Sequence, residues 1–362
     1  MRAISLLVLA PVVCACARGG DTAPDSVPLS GQVVARGEFL GRPASISVAG
    51  GHLVVTDGSA PYVHVLSARD GALLQSFGRQ GAGPGEFRHA GKVLPDPDGD
   101  GSFWVYDASL GRFSYFAFPE GGRAAPRVGD VLNLEPGGPT LLMHADWLND
   151  STIVATGIFP DGRIAVTDRR GRIVRYIGKR PPSPPGKDVP ITVLQHAFTG
   201  PLTVSPDRQR IAMGTESADR LEIYRPDGTL VREVRGAFGF DPVYEVHRKP
   251  AGSTMATGDD LRFGYTGLAS TDRYIYAMYS GQLRAEGKGY SYFGTEVHVY
   301  AWNGDRVATF KLDERARGIA VTPDGERLYA VQWTPEPRVV QYQIGAQMER
   351  LASAPNAGAD RS

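Results

Sequence analysis

The sequence predicts an all-β fold, a six-bladed β-propeller, on three observations. An apolar strand, a tight turn and a second apolar strand return along the chain. They occur at Ser47-Val48-Ala49-Gly50-Gly51 into Leu53-Val54-Val55, at Ser205-Pro206-Asp207 into Ile211-Ala212-Met213, and at Thr322-Pro323-Asp324-Gly325 into Leu328-Tyr329-Ala330-Val331. A strand-only unit of roughly 40 to 50 residues is the period of a propeller blade. The content of Gly 45 and Pro 27 suits a chain of many short strands, each ending in a tight turn. The 362 residues exceed what one hydrophobic core usually organises, but adding sheets around an axis absorbs such a length without a second domain.

From the N-terminus, residues 1–15 read as a signal segment. Arg2 precedes an apolar run from Ile4 to Val13 that is too short to span a bilayer. Val13-Cys14-Ala15-Cys16 follows and is similar to a bacterial lipobox, with Cys16 as the acylated residue because the small Ala15 precedes it. A plain secretory peptide is the alternative. With Cys16 carrying lipid, the mature chain has no second thiol and hence no disulfide. Residues 16–32, polar and rich in small residues, read as a flexible tether.

The propeller is assigned to residues 33–345. Aligning inner strands on their last core residue gives a column of six: Val48, Leu94, Leu148, Val204, Ser270 and Val321. Second strands follow at Leu53 to Thr56, Phe103 to Tyr106, Thr152 to Thr156, Ile211 to Gly214, Tyr274 to Tyr279 and Leu328 to Gln332. Third strands follow at Val63, Phe113, Ile164, Leu221, Val297 and Val339. Outer strands follow Gly-bearing turns such as Asp70-Gly71, Asp227-Gly228 and Asn303-Gly304, whose residues tolerate positive φ. The sixth unit lacks an outer strand, and Val33 to Arg36 is the right size to supply it, closing the ring and removing an exposed edge. Residues 346–362 read as a disordered tail.

Phe77-Gly78-Arg79-Gln80-Gly81-Ala82-Gly83-Pro84-Gly85-Glu86-Phe87 resembles the linker between blades of NHL-type propellers, and Val105-Tyr106-Asp107 with Arg112-Phe113 resembles the strand pair after it. The C-terminal third, including Tyr276-Ala277-Met278-Tyr279-Ser280-Gly281 and Glu296 through Gly304, resembles the six-bladed TolB-like propeller lipoproteins of bacteria. The resemblance implies a propeller in the bacterial cell envelope, lipid-anchored and facing the periplasm or the cell surface. It implies little chemistry.

Lys+Arg 39 balance Asp+Glu 39, so no global field attracts nucleic acid or an anionic membrane, and membrane contact is expected only through the anchor. A monomer is expected. The residues leading into the inner strands carry Arg42, Arg88, His89, His144, His196, Tyr265, Arg315 and Arg317. A converging Arg and His set selects an anionic or sugar-acid ligand, since the guanidinium fork matches carboxylate or phosphate; isolated surface charge is the plainer reading. Lys92 and Asp146 occupy a column otherwise held by Ile46, Leu202, Leu268 and Ile319. They therefore read as an ion pair between blades two and three, or Asp146 as a ligand contact in the channel.

Asp96, Asp98 and Asp100, with Asp107 at the twelfth place, match the spacing of a Ca²⁺ loop, although a hairpin turn uses the same residues. His89, His144 and His196 invite zinc but stand at different distances from the column. No cofactor is assigned. No Gly-x-Ser-x-Gly elbow or phosphate loop occurs. The longest loop within a blade, around Tyr290 and Tyr292, offers either a contact surface or self-packing. The expected function is that of a binding protein for a protein partner or an anionic small molecule, with a metal-dependent propeller hydrolase or lyase as the alternative.

Overall fold

The computed structural model describes residues 26–96, 101–117, 127–134, 140–250 and 252–353. Among the described residues four four-stranded antiparallel sheets follow one another along the chain as the first four blades, and one eight-stranded sheet carries the fifth and sixth. The first blade comprises Pro43–Ala49, His52–Asp57, Val63–Ser67 and Leu73–Phe77. The second comprises Val93–Pro95, Phe103–Asp107, Arg112–Ala117 and Arg127–Asn133; the third Leu141–Asn149, Thr152–Ile158, Ile164–Asp168 and Ile173–Ile177; the fourth Leu202–Val204, Ile211–Gly214, Arg220–Tyr224 and Leu230–Arg235. The fifth begins with Tyr265–Ser270, Tyr274–Tyr279 and Gly294–Ala301. Its outer edge is the start of Arg306–Val321, a 16-residue strand whose later part becomes the inner strand of the sixth blade beside Arg327–Gln332 and Arg338–Gln343.

The apolar runs of the second strands have a direct cause. Successive side chains in a strand point to opposite faces, yet Leu53, Val54 and Val55 are all fully buried. Leu53 and Val55 pack with Tyr329 and Val331 of blade six, while Val54 packs with Phe103 and Val105 of blade two. A strand covered on both faces has no polar side to show. Outer strands do, and Leu230–Arg235 exposes Arg232, Glu233 and Arg235 while Val231 and Val234 are half-buried.

Ring closure occurs as the sequence predicts. Gln32–Arg36 pairs antiparallel with Arg338–Gln343, placing Val33 opposite Val340 and Arg36 opposite Arg338. Ala35 then joins Leu40, Ile46 and Val339 in the cluster that joins the last blade to the first. Gly71 (φ +74°) turns against this strand, where a Cβ would lie 1.9 Å from the Val34 carbonyl oxygen.

Some expectations are corrected. The tether stops earlier than residue 32, because Ser26–Pro28 pairs in parallel with the outer strand of blade five and Leu29 N–H donates to the Lys311 carbonyl at 2.8 Å. The tail begins with a helix, Gly345–Ser353, whose Met348 packs on the fifth and sixth blades. The outer strand of blade two, Arg127–Asn133, was not among the strands predicted from the sequence. Two insertions were also unforeseen: the helix Ile191–Ala197 and the hairpin Glu245–Lys249 with Gly252–Ala256, which pack together through Val193, Leu194, Val246 and Met255.

The Gly-rich linker is ordered by charge. Arg112, 5% exposed, donates to the Ala82, Gly83 and Glu86 carbonyls, and Glu86 accepts from Gly83 N–H and Arg79 Nε. Between blades three and four, Arg163 and Glu222 form a buried ion pair at 2.6 Å, their side chains 3% and 5% exposed. Arg163 also donates to the Phe198 carbonyl, and Tyr224 donates to Glu222.

Candidate functional site

The inner strands of all six blades line a central cavity of ≈ 1040 Å³. At the end where those strands begin, four side chains form a chain of contacts. Tyr292 donates to Glu216 Oε1 at 2.7 Å, and His144 Nε2 lies 3.3 Å from the same oxygen. The Arg317 guanidinium sits 4.5 Å above the Tyr292 ring centroid, a cation–π arrangement. His144 and Arg317 each stand four residues before the aligned column, so parallel inner strands present them at one height. Glu216 follows the second strand of blade four, and Tyr292 comes from the long loop of blade five.

The electrostatics are mutual. Burial pushes the Glu216 carboxyl up, but the hydrogen bonds from His144 and Tyr292 and the charges of His144 and Arg317 prevail and hold it below the usual glutamate range. Burial and the Glu216 charge push the Tyr292 phenol up. His196, in the last turn of the Ile191–Ala197 helix, is held below the ordinary imidazole value by burial, which the nearby Glu216 partly offsets.

Further along the channel, Lys92 Nζ meets Asp146 Oδ2 at 2.6 Å, so the predicted ion pair between blades two and three forms. Lys92 also donates to the Leu202 carbonyl at 3.0 Å, and Asp146 Oδ1 accepts from Trp147 N–H, so the pair ties blades two, three and four together.

The other predicted site residues separate. His89 lines the channel from blade two. Arg42 and Arg88 are exposed and do not line it. Their backbone amides are what the fold uses: Asp57 accepts from Gly41 and Arg42 N–H, and Asp107 accepts from Arg88, His89 and Leu110 N–H. Tyr265 is also removed from the channel. It is fully buried between blades four and five, 2.7 Å from the Tyr300 hydroxyl. Arg315 is half-buried and lies outside the cavity lining.

A Ca²⁺ loop fits poorly, because Asp107 is occupied by three amides and Asp96 accepts from Trp104 Nε1 at 3.1 Å; Asp98 and Asp100 lie outside the described residues. Among the described residues no three His, Cys, Asp or Glu side chains gather as metal ligands.

The long loop packs on the neighbouring blade and reaches the channel. Tyr290 and Phe293 meet Trp333 of blade six edge-on, while Tyr292 turns to the channel. Glu216 was missed. The signal available was its place: like Asp57 and Asp107, it is an acidic residue at the exit of a second strand. The basic ring is also corrected. Lys92, Arg208 and Arg317 are matched along the lining by Asp96, Asp146 and Glu216, so the channel is charge-balanced.

Comparison with known proteins agrees with this architecture. A crystal structure of a DUF4221 family member from Bacteroides vulgatus aligns over 89% of this chain and 98% of its own, with TM-score 0.60 and 13% identity. Raptor from Chaetomium thermophilum aligns over 87% of this chain but 29% of its own, with TM-score 0.50 and 10% identity. The β-propeller domain of Cps50 (Swd1) from Myceliophteria thermophila aligns over 87% of this chain and 99% of its own, with TM-score 0.46 and 11% identity. At such identities the likeness to the first two concerns the fold alone. No curated protein matches. The family described as TolB-like 6-blade propeller-like matches residues 24–324, most of the blade-forming chain, and the protein belongs to that family.

Proposed function

We propose that the protein is an extracytoplasmic, lipid-anchored binding protein that takes a small acidic molecule at the channel mouth and does not transform it. One observation carries this reading: His144, Glu216, Tyr292 and Arg317 converge at the opening of a ≈ 1040 Å³ channel. Arg317 offers a planar fork of donors to a carboxylate, and Glu216 offers an acceptor to a hydroxyl or amine beside it. Charge balance then favours a ligand bearing both kinds of group over a simple anion.

The test is a thermal-shift panel of glucuronate, succinate and a sugar phosphate on wild type and Arg317→Ala. A ligand at about 100 times its Kd stabilises the native state by roughly 2.7 kcal/mol. Glucuronate should raise the melting temperature of wild type, and Arg317→Ala should weaken its binding at least about tenfold. Equal shifts in both proteins, or no shift with any compound, would overturn the reading.

The anchor is tested separately. Among the described residues no helix is long and apolar enough to cross a membrane. Cys16, outside the described residues, would carry the attachment. Cys16→Ser should move the protein from the membrane pellet to the soluble extracytoplasmic fraction; retention in the pellet would refute lipidation at this residue.

A further inference from the structure

We infer that the ligand is a short uronate-bearing oligosaccharide lying along the channel, with its acidic ring at Arg317. This rests on reading the mouth as a binding site and concerns what fills the space behind it.

Hydrogen-bonding groups are not confined to one end. His144 and Arg317 stand at the mouth, and Lys92 with Asp146 two residues further along the inner strands. Another two residues on is Ser270, whose hydroxyl donates to the Val204 carbonyl at 3.1 Å and lies 3.0 Å from that of Thr203, so this pair offers a ligand acceptor sites. Four residues of strand cover about 13 Å, so a ligand meeting all three levels is extended and polar along its length. A compact dicarboxylate or an aryl acid carries its polar groups at one end or at both ends with nothing between.

Each level also has an uncharged arc. Blades one and five line the channel without a charged side chain, and the level of Lys92 is completed by Ile46, Leu202, Leu268 and Ile319. A sugar ring has this division, with hydroxyls around its rim and C–H groups on its faces. A hydroxyl both donates and accepts, so it can meet a paired cation and carboxylate without separating them.

Thr266 also lines the channel at the mouth, its carbonyl 3.3 Å from the Tyr292 hydroxyl.

The experiment is calorimetric titration of the purified chain with galacturonate, digalacturonate, trigalacturonate, maltotriose and benzoate. Wild type should bind the trisaccharide uronate at least about tenfold more tightly than the monosaccharide, and should bind it more tightly than maltotriose or benzoate. Thr203→Val with Ser270→Ala should abolish that gain with chain length while leaving galacturonate binding intact, which also shows that the variant is folded. Equal affinity for mono- and trisaccharide, or a double variant that keeps the gain, would overturn the oligosaccharide while leaving the mouth as a carboxylate site. Undiminished binding of every compound by Arg317→Ala would overturn both.

Discussion

Removal of residues 26–36 is expected to abolish cooperative folding. The segment supplies the outer strand of the sixth blade through Gln32–Arg36 and an added parallel strand on the fifth through Ser26–Pro28. Without it the 338–343 strand becomes an edge, and the cluster joining Ala35 to Leu40, Ile46, Tyr329 and Val339 opens where the last blade meets the first. Net stabilities of about 5–15 kcal/mol leave little margin for such a loss. Circular dichroism melting and size-exclusion chromatography should show a broadened or absent transition and aggregated material. A monomer with the melting temperature of the full chain would mean that the ring closes without this strand.

The second large effect is at Arg163. Arg163→Met should leave Glu222 buried without its cation, costing about 3–5 kcal/mol, the usual consequence of breaking a buried pair on one side. In a chain of this size that lowers the melting temperature by on the order of 10 °C. Arg163→Met combined with Glu222→Gln should recover more than half of the loss, because the charge is gone and Tyr224 keeps an acceptor.

Acid should bring the two proteins closer together. In the wild type burial opposes ionisation of Glu222, but Arg163 prevails and holds the carboxyl below the usual range. Its contribution is therefore present above the ordinary glutamate value and is lost as pH falls through the lowered folded value. In Arg163→Met burial is opposed only by the Tyr224 hydrogen bond and the charge of Arg220, so the carboxyl is held less firmly ionised, and the gap in melting temperature should narrow as pH falls. A gap independent of pH would show that the damage is lost packing and not stranded charge.

The strands were legible because interblade burial writes unbroken apolar runs and Gly turns into the chain. The column Val48, Leu94, Leu148, Val204, Ser270 and Val321 lies on the six inner strands, and the closing strand is where its spare length placed it. Lys92 and Asp146 were legible for a related reason: a charge in an apolar column needs a partner, and adjacent blades supply one. Arg42, Arg88 and Tyr265 were misplaced because nearness to a strand start does not say which way a side chain turns. Tyr265 turns between blades, where its ring meets Tyr279 and its hydroxyl meets Tyr300. Glu216 escaped because its role depends on His144 and Tyr292, which are remote from it in sequence and which only the closed ring brings together.

The aspartates at the second-strand exits bear on how such a protein can change its specificity. Asp57 and Asp107 grip main-chain amides, not the side chains of Arg42, Arg88 or His89. Any residue with an amide hydrogen satisfies that grip. The rim of the propeller is therefore held in place by groups that are indifferent to what the rim displays, and substitutions there alter the surface offered to a visiting molecule without passing through a destabilised scaffold. Lineages of this fold are free to explore new lips on an unaltered ring.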